Sequence, residues 1–363
     1  MKLWWPAALI IAGVVMGVLT HAQLSHLFSE TMFGIFLPAL IFEAAWGLNI
    51  AAVLKSWKAI GLLILPGVPL TALLVGLVVH ELGGLALVSS FLLGAILSAT
   101  DPIAVVAIFR RLDVPGRLVA IVEGEALFND AVAVLVYQAV LAAIVSGATL
   151  HALPVVLRDA LLGVVAALLI GFVVGAIGAV CLRMRVPLWV AKVATLIAAY
   201  GSYMLADRLG GSGIFAVIAC GVAMRALERK EIGAHAAGEI ERFWHVLSNV
   251  ANAFLFFLIG TAVDAGTLPL LWRVGLAALV GVGAARLVLA YGVLGLLPRM
   301  QRSWKTVVRL AGIRGPLSLA LALALPVGLP FRDALVSATF VVVVAGLVAG
   351  FLTLEGRVDR ALS

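Results

Sequence analysis

Carboxylate side chains stand in the middle of strongly apolar stretches of this sequence. Residues 92–140 form two apolar segments that are joined by a short basic loop. The polar residues near the centres of these segments are Thr100, Asp101, Glu123, Glu125, Asn129 and Asp130. An ionised carboxylate inside a membrane is costly unless it is paired, hydrated or protonated, so such residues indicate a functional site.

Across the whole chain, the apolar segments hold more acids than cations. The acids are Glu43, Asp101, Glu123, Glu125 and Asp130, and the cations are Arg286 and Arg314. Pairing with an arginine as a packing contact is one interpretation of any single acid, but two arginines are too few for all five. At least one acid is therefore expected to exchange a proton for another cation, which indicates a cation or proton pathway.

The tripeptide Thr100–Asp101–Pro102 predicts a break inside a membrane helix. Proline has no N–H to donate, and the residue before it is pushed away from helical dihedral angles. A simple proline kink is the alternative, but the adjacent threonine and aspartate favour an extended stretch that lines a cavity. Carbonyl and carboxylate oxygens are the ligands that a hard cation such as Na⁺ prefers.

A second break is predicted where Gly312, Gly315 and Pro316 surround Arg314. Transporters that are built from inverted repeats often interrupt the two corresponding helices. The two breaks would then cross at the midplane of the membrane, with Asp101 and Arg314 compensating the partial charges of the helix ends. A simple helix start at the Gly–Pro pair is the alternative interpretation.

The segment after the first break carries Glu123, Ala126 and Asp130 on one helical face, at spacings of three and four residues. Asp130 lies about midway along this segment, as a binding carboxylate would. Glu123 lies nearer the cytoplasmic end, where it is either an entrance residue or simply solvated.

The elements that must position these residues are membrane helices. Of the 363 residues, 64% are hydrophobic and 12% are charged, and the mean hydropathy is +1.20. Soluble domains are about 45–50% apolar and about 25% charged. Apolar runs of spanning length, about 17–25 residues, predict an all-α polytopic membrane protein with about twelve helices. These spans are expected at residues 4–20, 31–48, 59–80, 85–109, 117–146, 155–182, 188–206, 212–225, 243–264, 270–297, 306–328 and 331–354.

The start of the chain is expected to be the first of these helices rather than a signal peptide. Cys181 and Cys220 form neither a disulfide framework nor a metal-binding pattern. The connections are too short for a soluble regulatory domain, and the longest, residues 225–242, predicts a helix on the membrane surface.

The net charge of +7 does not indicate a nucleic-acid partner, because the basic residues are sorted by loop. With twelve spans, nineteen of the 25 lysines and arginines lie on the side of the termini, four on the opposite side and two inside spans. Since positively charged loops stay in the cytoplasm, both termini are expected to be cytoplasmic.

Six motifs together resemble the monovalent cation:proton antiporter family, in particular its bacterial NhaP-type sodium/proton antiporters, which are related to the eukaryotic sodium/proton exchangers. The motifs are LPALIFEAA, SATDPIAVVA, EGEALFNDAVAV, NAFLFFLIGT, ARLVLAYGVLGLL and GIRGPLSLALAL, and the resemblance extends over residues 5–355. It implies a homodimer in the lipid bilayer of a bacterial plasma membrane, in which a core domain moves against a dimerisation domain.

Applied to this chain, the resemblance implies a single transporter unit over residues 1–363. The implied core domain is 59–146 with 270–354, the dimerisation domain is 1–50 with 188–264, and the linking helix is 155–182. The implied function is electroneutral exchange of one Na⁺ (or Li⁺) for one H⁺, with no cofactor. The alternatives are a K⁺/H⁺ antiporter, a sodium-coupled organic-anion symporter and a channel. An enzyme is not expected, since the sequence lacks the HExxH and GxSxG motifs.

The resemblance also implies roles for the polar residues. Asp130 binds the cation or the proton, and Asn129 ties the broken crossover in place. Thr100 and Asp101 lie at that crossover, and Glu43 faces the ion. Na⁺ is then expected at Asp130, with Glu43 and Thr100 as further ligands.

Glu125 is expected to pair structurally with Arg286 rather than with Arg314. Two residues depart from the family pattern: Ala126 stands where relatives usually carry serine, and Pro316 stands where a small residue is common. Many relatives also have a further N-terminal helix and a cytosolic tail.

Overall fold

The structure is a computed structural model of the chain. It describes residues 5–20, 30–101, 103–109, 111–112, 114–146, 153–184, 186–228, 233–261, 268–297, 300–326, 328–329 and 331–362. The described residues contain no β-strand. The first helices are α1 (Trp5–Thr20), α2 (Glu30–Gly47), α3 (Ile50–Ile64), α4 (Gly67–Val78), α5 (Leu87–Ile96), α6 (Ile103–Phe109), α7 (Gly116–Ser146) and α8 (Leu153–Arg183). They are followed by α9 (Leu188–Arg208), α10 (Gly213–Glu228), α11 (Gly233–Thr261), α12 (Leu268–Leu287), α13 (Arg302–Leu310), α14 (Pro316–Leu323) and α15 (Arg332–Leu362).

Six helical segments among the described residues are long and apolar enough to cross a membrane. They are Ile50–Gly83, Gly116–Val145, Arg158–Arg183, Leu188–Arg208, Trp272–Leu296 and Arg332–Gly350. Shorter apolar helical stretches are Ala8–Gly17, Gly34–Gly47 and Leu87–Ile96. The prediction of an all-α polytopic membrane protein is confirmed, and each predicted span overlaps at least one of the helices.

Several observed helix ends differ from the predicted span boundaries. The third span was expected to begin at residue 59, but α3 begins at Ile50. Lys55 and Lys58 precede the predicted span, yet they lie on the exposed side of an amphipathic helix whose Ser56 and Ile60 are buried. A lysine interrupts an apolar run without ending the helix, because its charge stays in water.

Residues 225–242 were expected to include a helix on the membrane surface. In the structure, α10 continues to Glu228 and α11 begins at Gly233, so the described residues of this loop belong to the two flanking helices. Charged residues such as Glu239 and Arg242 therefore extend the ninth span at its first turns. Arg242 Nη1 and Glu239 Oε1 form an ion pair at 2.9 Å, three residues apart on the helix. Pairs at this spacing are common on solvated helix surfaces.

The fourth and eleventh spans are broken, as predicted. In the fourth, α5 ends at Ile96 and α6 begins at Ile103. In the eleventh, α13 ends at Leu310 and α14 begins at Pro316, where proline suits the first helical position because no N–H is needed there. Pro102 itself lies outside the described residues.

The chain forms two compact units. The first comprises the described residues of Met1–Ser29, Ala51–Ser146 and Ala253–Ser363, and the second those of Glu30–Ile50 and Gly147–Asn252. Compared with the predicted domains, α1 packs with the unit that holds both broken helices, and α8 packs with the other. Packing does not report which part moves, so the assignment of core and dimerisation domains stays a prediction.

Within the first unit, an apolar cluster supports the broken helices from one end. Its members include Val105 and Ile108 of α6, Leu118 and Ile121 of α7, Val307 and Val308 of α13, and Ile313 between α13 and α14. The helix α4 packs against α5 and α12, and α12 packs against α15. In the second unit, α10 packs against α8, α2 and α9. The apolar cluster of the first unit thus holds both breaks against the regular helix α7.

Candidate functional site

Two consecutive side chains of α7 hold Thr100 in the first break. The Thr100 N–H donates to Asp130 Oδ1 at 3.1 Å, and Asn129 Nδ2 donates to Thr100 Oγ1 at 3.1 Å. The same Nδ2 donates to the Ser98 carbonyl at 2.9 Å. A break leaves backbone groups without helical partners, and buried groups of this kind need others. The side chains of α7 supply them.

The two breaks also bond to each other. The Asp101 N–H donates to the Ile313 carbonyl at 2.8 Å. The Ser318 hydroxyl donates to the Ala99 carbonyl at 3.5 Å. Close approach requires glycine at position 315, because an added Cβ would lie 2.3 Å from Asp101 Cβ. The predicted crossing of the interrupted helices is therefore a direct backbone contact.

Glu125 and Arg286 form a buried ion pair beside this crossing. Arg286 Nη1 donates to Glu125 Oε1 in a short hydrogen bond, and both residues are at most 5% exposed. Gly312 leaves the space that the guanidinium occupies, since a Cβ there would lie 1.8 Å from Arg286 Nε. The second break thus packs on this ion pair.

Arg314 is the second buried cation of the site and is 2% exposed. Its Nε and Nη1 atoms have no hydrogen-bond partner among the described residues. Arg314 is close enough to Arg286, Glu125 and Asp130 to interact with them electrostatically. It therefore contributes positive charge near the Asp130 carboxylate without being fixed to a single acid.

The structure brings Asp130, Asn129, Thr100 and Asp101 together, with Glu125, Arg286 and Arg314 next to them. Glu123 lies on the same helix as Asp130, two turns earlier, and is partly buried.

Glu43 lies in the second unit, on α2. Its Oε1 is 3.2 Å from His245 Nδ1 of α11. The preceding residues, Phe42 and Trp244, place their rings 4.3 Å apart and are buried. This aromatic contact fixes the position of the Glu43–His245 pair.

Sequence reasoning missed several contact residues of the site. Ser98 and Ile313 take part through their carbonyl groups, for which side-chain type gives no signal. Ser318 was identifiable in principle, because it is a hydroxyl residue inside an apolar stretch shortly after the second break. His245 was missed as the neighbour of Glu43, because the two residues are about 200 positions apart in the sequence and no motif links them.

The arrangement suits the binding of one small cation or one proton. A carboxylate, a hydroxyl and free carbonyl groups are oxygen ligands of the kind that hard cations prefer. Broken helices at the same place point helix ends with partial charges at the site. Asp130 as a whole residue is only partly buried.

The profile of one protein family, described as the transmembrane sodium/hydrogen exchanger, matches residues 3–354. A Na(+)/H(+) antiporter of Aphanothece halophytica, ApNhaP, is 32% identical over 98% of this chain and 69% of that protein. The Na(+)/H(+) antiporter NhaH of Halobacillus dabanensis is 29% identical over 97% of this chain and 91% of that protein.

Among solved structures, the sodium proton antiporter MjNhaP1 of Methanocaldococcus jannaschii superposes with a TM-score of 0.84. The alignment covers 99% of this chain and 92% of that chain, at 20% identity. At 20% identity, this structural similarity is evidence for the fold alone.

Proposed function

Because this chain belongs to the sodium/hydrogen exchanger family, we propose that it is an antiporter that exchanges Na⁺ or Li⁺ for H⁺. The observation that carries the proposal is the Asp130 carboxylate, bonded to Thr100 where two broken helices meet. A carboxylate binds a proton or a monovalent cation in turn. Competition between the two at one site produces exchange.

The charges around the crossing support a one-for-one exchange. Glu43 lies in the second unit beside His245 and is not counted here. Asp101, Glu125 and Asp130 carry three negative charges, and Arg286 and Arg314 carry two positive charges, which leaves one negative charge. One Na⁺ or one H⁺ neutralises it. The site without a bound cation or proton does not cross the membrane barrier, because moving an uncompensated carboxylate through a low-dielectric region is expensive. This penalty couples the two fluxes.

The proposed ligands follow the family resemblance, and the hydrogen bonds to Thr100 support Asp130 and Asn129. Asp130 is the shared cation and proton site, Thr100 and Glu43 are further Na⁺ ligands, and Asp101 and Asn129 hold the crossover. Glu125 with Arg286, and Arg314, are structural charges, and Glu123 is a candidate entrance residue. No cofactor is needed beyond the transported Na⁺ and H⁺.

At the level of the whole protein, we propose a homodimer in a bacterial plasma membrane with both termini in the cytoplasm. Nineteen basic residues on the side of the termini support this orientation. The proposed moving core is 59–146 with 270–354, and it works against a dimerisation domain of 1–50 with 188–264, joined by 155–182.

The experiment is ion-driven proton movement in proteoliposomes that carry a pH gradient. Na⁺, Li⁺, K⁺ and an organic anion are added in turn, and the internal pH is followed with a dye. Na⁺ and Li⁺ are expected to dissipate the gradient, while liposomes without protein do not respond. A response to K⁺ alone would make the protein a K⁺/H⁺ antiporter. Sodium uptake that depends on the organic anion would make it a symporter.

A further inference from the structure

We propose that the polar face of α13, together with the adjoining end of α12, binds the headgroup of an anionic phospholipid. Arg302, Lys305 and Arg309 hold the phosphate group, and exposed apolar side chains near Tyr291 contact the acyl chains. None of these residues belongs to the crossing of the broken helices, and the site does not depend on the proposed antiport function.

Three cations lie in one row along α13. Arg302, Lys305 and Arg309 are spaced three and four residues apart, which places them on one face of the helix. Arg302 is exposed, and Lys305 and Arg309 are partly exposed. On the other side of the helix, Val307 and Val308 are buried in the apolar cluster of the first unit. This packing fixes the rotation of α13, so the row of cations faces outward.

The positive charge of this row is not balanced by an acid among the described residues. None of the three side chains forms an ion pair with a described carboxylate. Arg309 Cζ lies 6.0 Å from the centre of the Tyr291 ring, but Arg309 Nε is buried without a hydrogen-bond partner in the described part of the chain. Like charges three and four residues apart destabilise a helix, and a buried donor without a partner is costly. A bound anion offsets both costs.

Two hydroxyl groups join the row of cations to the end of α12. The Tyr291 hydroxyl and Thr306 Oγ1 are 2.9 Å apart, and the Thr306 hydroxyl donates to the Arg302 carbonyl at 3.1 Å. Because Thr306 uses its hydrogen in the second bond, Tyr291 is the donor in the first. Both hydroxyl hydrogens are therefore engaged, and they hold the row beside Tyr291. Recognition of an anion is left to the three cations.

Exposed apolar side chains surround Tyr291 in the sequence at the end of α12. Leu287, Val288 and Leu296 are 46%, 41% and 72% exposed, and Tyr291 is 39% exposed. In a membrane protein such apolar side chains contact acyl chains, and tyrosine is typical of the interface between acyl chains and headgroups. In addition, α13 begins at Arg302 without a side chain that caps its first N–H groups, which favours an anion there. Basic residues beside an exposed membrane helix are typical of sites for anionic lipids.

The test measures how added lipid stabilises the purified full-length chain in neutral detergent. Dioleoyl phosphatidylglycerol is titrated at constant ionic strength, and dioleoyl phosphatidylcholine, which has no net charge, is titrated in parallel. Inorganic phosphate is the probe without acyl chains. The melting temperature at each concentration gives an apparent affinity. Arg302→Gln/Lys305→Gln is compared with wild type and with the control Lys55→Gln/Lys58→Gln, which removes two lysines from the exposed side of α3.

Wild type is expected to be stabilised by phosphatidylglycerol at lower concentrations than by phosphatidylcholine. Arg302→Gln/Lys305→Gln should bind phosphatidylglycerol at least about tenfold more weakly, because each basic residue near an anionic headgroup contributes about fivefold. The response of this variant to phosphatidylcholine should not change. Lys55→Gln/Lys58→Gln should keep the wild-type affinity for phosphatidylglycerol.

Equal affinities of wild type for the two lipids would overturn the proposal. An equal loss of affinity in the α3 control would also overturn it, because the attraction would then come from the overall positive charge. Stabilisation by inorganic phosphate that depends on Arg302 and Lys305 would show a site for a soluble anion instead of a lipid. If Arg302→Gln/Lys305→Gln does not fold, Arg309→Gln decides, and an unchanged preference for phosphatidylglycerol in that variant would contradict the proposal.

Discussion

Asp130 and Asn129 are adjacent residues that contact the same threonine in different ways. The carboxylate of Asp130 accepts from the Thr100 backbone, and the amide of Asn129 donates to its hydroxyl. An asparagine in place of Asp130 would still accept from the Thr100 N–H, but it would carry no charge. The structural contribution of Asp130 can therefore be separated from its contribution to transport.

Asp130→Asn is expected to abolish Na⁺-driven proton movement in proteoliposomes while leaving the melting temperature close to that of wild type. The reason is that an amide cannot exchange a proton for a cation at neutral pH. Asp207→Asn, at the exposed end of α9, is the matched control and should exchange normally. Normal exchange by Asp130→Asn would remove Asp130 from its proposed position as the shared site.

Glu125 and Arg286 are expected to behave as a coupled pair in stability measurements. Loss of either partner leaves a buried charge uncompensated, which costs about 3–5 kcal/mol. Glu125→Gln and Arg286→Ala should each melt earlier in detergent, and the double variant should recover part of the loss. An unchanged melting temperature for Arg286→Ala, alongside a destabilised Arg314→Ala, would move the partner of Glu125 to Arg314.

At the scale of elements, each broken helix completes the other. The first break offers the Asp101 N–H, and the second offers the Ile313 carbonyl. In lipid such groups have no water to bond to, so irregular backbone persists only where protein or a cavity satisfies it. The two breaks are therefore expected to be stable only together.

Gly315→Ala tests this dependence, because the added methyl group would lie 2.3 Å from Asp101 Cβ. The breaks would have to separate, and overpacking of this kind typically costs about 1–3 kcal/mol. A lower melting temperature and a loss of exchange are expected. Gly283→Ala on α12 is the control, since no atom lies within 4 Å of the added carbon. Wild-type melting and exchange by Gly315→Ala would show that the breaks do not depend on this contact.

The positions of both breaks were predictable from the sequence, because Pro102 and the Gly312–Pro316 stretch have local effects on the backbone. Asp130 was likewise identifiable, since a carboxylate stands out in an apolar helix. The contacts between the breaks were not predictable. The bond from Asp101 to Ile313 joins two backbone atoms, and neither side chain determines it. The start of α3 was missed because Lys55 and Lys58 end an apolar run without ending a helix.

At the scale of the whole molecule, one-for-one exchange depends on one net negative charge at the crossing. Asn129, the neighbour of Asp130, cannot titrate, and Arg286 stays charged at any ordinary pH. Glu125 forms an ion pair with Arg286. Asp101 and Glu43 are the remaining acids whose protonation would change the stoichiometry. If only Asp130 exchanges, the cycle moves no net charge across the membrane.

The most direct measurement is the sodium gradient that stops net exchange at a fixed pH gradient. It is read in proteoliposomes with the membrane potential held at zero and then at roughly −100 mV by a potassium diffusion potential, which acts on one uncompensated charge with about 2.3 kcal/mol. One-for-one exchange through Asp130 predicts the same balancing sodium gradient at both potentials. A shift that corresponds to tens of millivolts would contradict it, and would mean that a second proton is carried, with Asp101 or Glu43 as the first residue to test.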